Sequence, residues 1–158
     1  MLWRSFARRN ITSRNWSALE PVILQQLAKA EFFTVDLELT GLHSRNERFI
    51  GVDRCYDGHA EGARQFIPVQ LGLCGAYRPD PSKNHWTLMP ISVYLYPRGE
   101  NDKVFQCSSA TMNFLSNNGF NFNEWIDTGV GFLRPSDEAE KLRSVQERMD
   151  EISSLQVR

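Results

Sequence analysis

The chain has 158 residues, of which 41% are apolar and 23% charged, and its net charge is −1 at neutral pH. That length supports one domain with a real core, and the composition is that of a globular protein, which excludes a disordered chain. The near-neutral balance excludes nucleic-acid binding driven by bulk positive charge, and no apolar run approaches the roughly 18 residues of a spanning helix.

The charge is unevenly placed. Arg4, Arg8, Arg9 and Arg14 precede the first acid, Glu20, so residues 1–14 carry +4 and the rest −5. Arginine-rich, serine-containing and free of acids, residues 1–14 are expected to be a basic leader of the organellar transit type. Mitochondrial localisation is the expectation, ahead of plastid, cytoplasm or nucleus; the other reading of this leader is a basic arm that touches RNA. Cys55, Cys74 and Cys107 lack close spacing and only three histidines accompany them, which argues against a zinc site or a disulfide framework and for a reducing compartment.

Ser17-Ala18-Leu19-Glu20 fits a capping box, and Leu19, Val22, Ile23, Leu27 and Ala30 recur at helical spacing. A helix over about 18–30 is predicted, with Pro21 in its first turns. It leads into Phe32-Phe33-Thr34-Val35-Asp36-Leu37-Glu38-Leu39-Thr40-Gly41-Leu42, predicted as a strand over 32–40 ending in a glycine turn. Side chains alternate along a strand, so Phe33, Val35, Leu37 and Leu39 share one face, and Asp36 and Glu38 the other. Two carboxylates roughly 7 Å apart on a stiff backbone suit a hard cation such as Mg²⁺. The same alternation would serve any half-buried strand with a solvated polar face.

Residues 43–64 are polar and read as a long loop, with a helical turn over 44–50. Two further strands, 66–77 and 86–96, are separated by the proline-containing turn 78–84 and form an antiparallel hairpin; with the first strand they make a three-stranded meander. Ser108 or Ser109 opens a helix carrying Met112, Phe114 and Leu115, closed by Asn117-Asn118-Gly119. A short aromatic segment, 120–126, comes next and ends at Gly129-Val130-Gly131. The last helix runs from Pro135 to about Leu155, with the stripe Leu142, Val145, Met149, Ile152 and Leu155, a face for a core or for a partner.

Taken together, several stretches resemble the poly(A)-specific ribonucleases, deadenylases of the DEDD class of 3′–5′ exonucleases. They are the helix from Asn15-Trp16, the strand 32–42, Glu47-Arg48-Phe49, Val69-Gln70-Leu71-Gly72-Leu73-Cys74, Phe105-Gln106-Cys107-Ser108-Ser109 with Asn113-Phe114-Leu115, Gly119-Phe120-Asn121-Phe122-Asn123, and Gly129-Val130-Gly131-Phe132-Leu133. They occur in the family's order over most of residues 15–145. The resemblance implies an α/β, partial ribonuclease H-like fold: a three-stranded antiparallel meander with flanking helices, the later strands absent. It implies a domain over 15–134 and a separate amphipathic C-terminal helix over 135–158. In the family, the residues matched by Asp36 and Glu38 are catalytic and hold two divalent ions, Mg²⁺ in an active form, for in-line phosphodiester cleavage. Adenines would stack beside that strand, with Leu39, Leu42, Met112 and Phe114 as candidate RNA-binding residues. Plain core packing is the other role open to those four.

The chain departs from the family in its acids. A DEDD site needs two further aspartates and a general base, and Asp53, Asp57, Asp80, Asp102 and Asp127 match no family motif. A sheet short of its parallel strands would also leave an apolar edge. Expected partners are therefore single-stranded RNA, poly(A)-like or ribosomal, and a protein that completes the sheet edge or packs on the C-terminal helix. No membrane partner is expected. Two functions remain open: metal-dependent 3′–5′ removal of poly(A) with an incomplete catalytic set in this chain, or a non-catalytic structural or RNA-binding subunit of an organellar ribonucleoprotein such as a mitochondrial ribosome.

Overall fold

The computed structural model describes residues 10–42, 52–98, 104–133 and 135–156. Along them run α1 (Trp16–Leu27), β1 (Phe32–Leu39), α2 (Val52–Gln65), β2 (Pro68–Tyr77), β3 (Thr87–Tyr96), α3 (Ser109–Asn117), α4 (Phe122–Thr128), β4 (Val130–Gly131) and α5 (Pro135–Gln156). The sheet order is β1-β2-β3-β4. The first three strands are the expected antiparallel meander, and β4 adds a short parallel pairing of Val130 and Gly131 with Leu95 and Tyr96. The fold is thus α/β with a mixed sheet.

Each face of the sheet has its own helices. Ile91 and Val93 of β3 pack with Ile11 and Ile23, and Leu71, Leu73 and Leu27 close that cluster from β2 and α1. On the other side, Tyr94 and Val69 pack with Leu115 of α3 and Trp125 of α4, ringed by Phe105, Phe120 and Phe122. Trp125 lies edge-on to Tyr96, with centroids 5.2 Å apart, and donates its indole N–H to the Leu95 carbonyl at 2.6 Å. Its large apolar surface is therefore buried without stranding its one donor.

The free edge of β3 is closed in two places. β4 covers Leu95 and Tyr96, and Ile11 bridges Val93 in parallel, its N–H donating to Ser92 and its carbonyl accepting from Tyr94. Ile11 is 2% exposed. Chain in contact with the sheet therefore reaches back to Asn10 and Ile11, into the stretch expected to be leader. The arginine run of residues 1–9 lies outside the described residues.

Three other expectations change. The capping box at Ser17 does not form: α1 starts at Trp16, and the Asn15 side chain accepts from the Thr12 N–H instead of capping the helix. Within the stretch expected as loop, residues 52–65 are helical. The buried positions there are Gly58 and Gly62, four apart on one face, so α2 is seated by small residues and lacks the large apolar stripe that marks a helix. The expected turn over 44–50 lies outside the described residues. Finally, the apolar side of β1 is open: Phe33 is 62%, Val35 56% and Leu37 46% exposed. Strand β1 is the last in the sheet, and the α1 cluster is built on β2 and β3.

Candidate active site

Asp36 stands opposite Gly72 and Ser92 across the three strands, and Glu38 opposite Gln70 and Tyr94. Directly opposed residues of antiparallel strands share a face, so both carboxylates lie on the side of the sheet that carries α3 and α4. Asp36 is exposed and Glu38 half-buried. Just after Glu38 the register shifts, Leu39 pairing with Pro68 and leaving Val69 as the extra residue. Such a bulge bends the strand that carries the extra residue, here β2, and increases the twist beside Leu39.

Thr40 is fully buried and ties the carboxylate strand to α3. Its hydroxyl donates to the Gln106 carbonyl at 2.6 Å and accepts from the Ile67 N–H at 3.1 Å, while its own carbonyl accepts from the Ser108 N–H at 2.8 Å. Ser108 is the cap residue of α3. One residue thus ties the strand that bears the acids to the start of the helix that faces them. Gly41, next in sequence, leaves the room needed by the Phe66 ring: a Cβ there would lie 2.5 Å from it.

Two cavities flank the wall formed by Glu38 and Phe114. The more apolar, about 390 Å³, is lined by Leu37, Glu38, Leu39, Leu42, Ala110, Thr111 and Phe114. The more polar, about 230 Å³, is lined by Asn10, Glu38, Gln70 and Tyr94, by Phe114 and Leu115 of α3, and by Asn118, Gly119 and Phe120 just after it. Of the residues expected to contact RNA, Leu39, Leu42 and Phe114 come together around the first cavity. Met112 does not join them; it packs on the Tyr94–Trp125 cluster. Phe114 is 57% exposed, an aromatic face free to stack.

Residues 11–157 match the profile of the CAF1 family ribonuclease. The chain belongs to that family. Curated relatives include the poly(A)-specific ribonuclease PARN of Arabidopsis thaliana, 28% identical over 161 residues covering 95% of this chain and 23% of the relative. The Xenopus laevis and Homo sapiens proteins of the same name are each 25% identical, covering 81% and 82% of this chain and 22% and 21% of theirs. This CAF1-family chain thus spans less than a quarter of the length of these relatives. Among solved structures, Schizosaccharomyces pombe Pop2p in its Mg²⁺- and Mn²⁺-bound form superposes with a TM-score of 0.57 at 17% identity, over 86% of this chain and 52% of that one. The two share a ribonuclease H-like fold.

The CAF1-family site is tested by its donors. Asp36 and Glu38 offer the hard oxygen ligands a divalent ion prefers. Among the described residues, however, no group of three or more His, Cys, Asp or Glu side chains converges. Sequence reasoning singled out neither Gln70 nor Thr40. A lone polar residue in the apolar run 69–74, and a threonine directly after the acids, were the available signals. Asn10 gave no such signal, because it sits in what reads as leader.

Proposed function

We propose that this chain carries the carboxylate-bearing half of a poly(A)-directed 3′–5′ exonuclease site and binds the 3′ end of single-stranded RNA. The observation that carries this reading is Glu38, which lines both cavities and shares a sheet face with Asp36 opposite the exposed Phe114. Phe114, Leu39 and Leu42 stack or wedge bases, and Asp36 and Glu38 present oxygen ligands beside the backbone of the strand so held. A divalent ion, when bound, supplies charge to stabilise the leaving oxygen and acidity to generate the nucleophile. Mg²⁺ is the ion proposed, by family.

Full chemistry needs carboxylates beyond Asp36 and Glu38. We place them on a strand seated at the β1 edge, supplied by a partner or by further chain of the same protein, where no second strand pairs with β1 among the described residues and the exposed Phe33, Val35 and Leu37 offer a template. The test adds 5′-labelled oligo(A) and Mg²⁺ to the purified chain, alone and with a candidate partner. Shortening that appears with the partner and disappears in Asp36→Ala supports the reading; shortening that persists in Asp36→Ala sinks it.

The lack of a third converging ligand among the described residues favours a second reading, a non-catalytic subunit of an organellar ribonucleoprotein. Mitochondrial residence is proposed on the basic leader. Co-sedimentation with mitochondrial ribosomal particles, without nuclease in any combination, would select this second reading.

A further inference from the structure

The polar cavity beside Glu38 holds a hydrogen-bonded ring that the two acids do not use. Gln70 Nε2 donates to Ser92 Oγ at 2.7 Å and to Asn10 Oδ1 at 3.1 Å, and Ser92 Oγ donates to Asn10 Oδ1 at 2.8 Å. Both N–H groups of the Gln70 amide are thereby engaged, and its Oε1 has no donor among the described residues. Conversely, Asn10 Oδ1 accepts twice while its Nδ2 donates to none of them. Flipping either amide alone would set like groups against each other, so the polarity changes only if both invert together.

In the arrangement present, Gln70 keeps one acceptor and Asn10 one donor without a partner among the described residues, and both residues line the cavity. A third polar group is Tyr94, 2% exposed, whose hydroxyl accepts from the Asn121 N–H at 3.3 Å and has no acceptor for its own hydrogen among the described residues. Phe114 and Phe120 add aromatic surface. At about 230 Å³ the space suits one small planar group better than a drug-sized ligand, whose pockets begin near ~300 Å³.

We propose that Gln70, oriented by Asn10 and Ser92, is a specificity residue that selects an amino-bearing base, adenine or cytosine, over a base with a carbonyl at that edge. An exocyclic amino group donates to Gln70 Oε1 while the adjacent ring nitrogen accepts from Asn10 Nδ2. This is the pattern by which an amide reads adenine. A carbonyl-bearing edge, as in hypoxanthine or uracil, sets oxygen against oxygen and N–H against N–H, leaving two pairs unmade. The proposal rests on the reading that an RNA end lies against Glu38.

The test measures fluorescence anisotropy of the full chain with short labelled oligo(A), oligo(C), oligo(U) and oligo(I), in magnesium buffer with phosphorothioate linkages to block cleavage. Oligo(I) differs from oligo(A) by a carbonyl in place of the amino group and keeps the purine face, so stacking is held nearly constant. Oligo(A) and oligo(C) should bind about tenfold more tightly than oligo(I) and oligo(U), near the low end for a bidentate contact. Gln70→Met should bring oligo(A) down to the oligo(I) level, and Asn10→Ala should do the same if the methionine variant does not fold. Phe114→Ala should weaken all four alike. Equal binding of oligo(A) and oligo(I) by the wild type, or a preference retained in both amide variants, overturns the assignment while leaving the RNA reading intact. Failure of all four to bind overturns the RNA reading itself.

Discussion

The two edges of the sheet have been treated very differently. At the β3 edge, Ile11 and β4 occupy the backbone groups, and Trp125 is buried against Tyr96. At the β1 edge, apolar side chains stand about half exposed beside two acids. Chain distant in sequence, Ile11 and β4, covers the β3 edge, whereas the β1 edge carries Asp36 and Glu38. Substitutions at the two edges should therefore differ in what they cost the fold.

The largest effect is expected at the closed edge. Trp125→Ala removes a buried ring and its hydrogen bond, and should cost about 3–5 kcal/mol in urea unfolding, whereas Val35→Ala at the open edge should cost about 0.5 kcal/mol. Comparable losses would mean that something covers β1 in solution. Thr40→Val keeps the shape and deletes the hydroxyl, stripping partners from the Gln106 carbonyl and the Ile67 N–H; about 1–3 kcal/mol is expected. Because Thr40 also ties β1 to the start of α3, oligo(A) binding should fall with it, and binding that survives intact would detach the two.

Gly41→Ala drives a methyl into the Phe66 ring and should cost about 1–3 kcal/mol, with partial recovery in a Gly41→Ala/Phe66→Leu double variant. An additive double variant would place the strain elsewhere. Asp36→Asn should leave unfolding within about 0.5 kcal/mol of wild type in metal-free buffer, yet abolish the heat of Mn²⁺ binding that calorimetry is expected to show for the wild type. A change in stability with no change in ion binding would make Asp36 a structural group.

The smallest effect is on pH dependence. Glu31 accepts side-chain and backbone hydrogen bonds from Arg78, which hold its carboxyl below the usual glutamate range, and the guanidinium charge acts in the same sense. A lowered folded value means that this contribution is present above the unfolded glutamate pKa and fades as pH falls through the folded one. Arg78→Met should flatten the acid limb of the stability profile slightly, the pair being solvent-exposed. An unchanged limb would show the pair to be energetically silent.

Much of the fold was readable from residue order. Alternation located β1, the two strands and intervening turn gave the hairpin, and helical spacing gave α5, because each pattern is local and periodic. The patterns mislead where distant parts decide. Phe33, Val35 and Leu37 alternate like core residues, yet their exposure results from β1 being last in the sheet. Helix α2 escaped notice because Gly58 and Gly62 seat it. Ser17 looked like a cap, but the turn anchored by Thr12 and Asn15 starts the helix two residues earlier. In the candidate site, the acids and Phe114 were legible as residue types. The pairing of Gln70 with Asn10 joins residues 60 apart and was not legible.

The parallel bridge at Ile11 also has a consequence for the order of events during synthesis. Its partners, Ser92 and Tyr94, leave the ribosome some eighty residues later. Until Tyr94 has been made, Ile11 lacks the strand that it bridges, so this end of the described fold can close only after β3 has emerged.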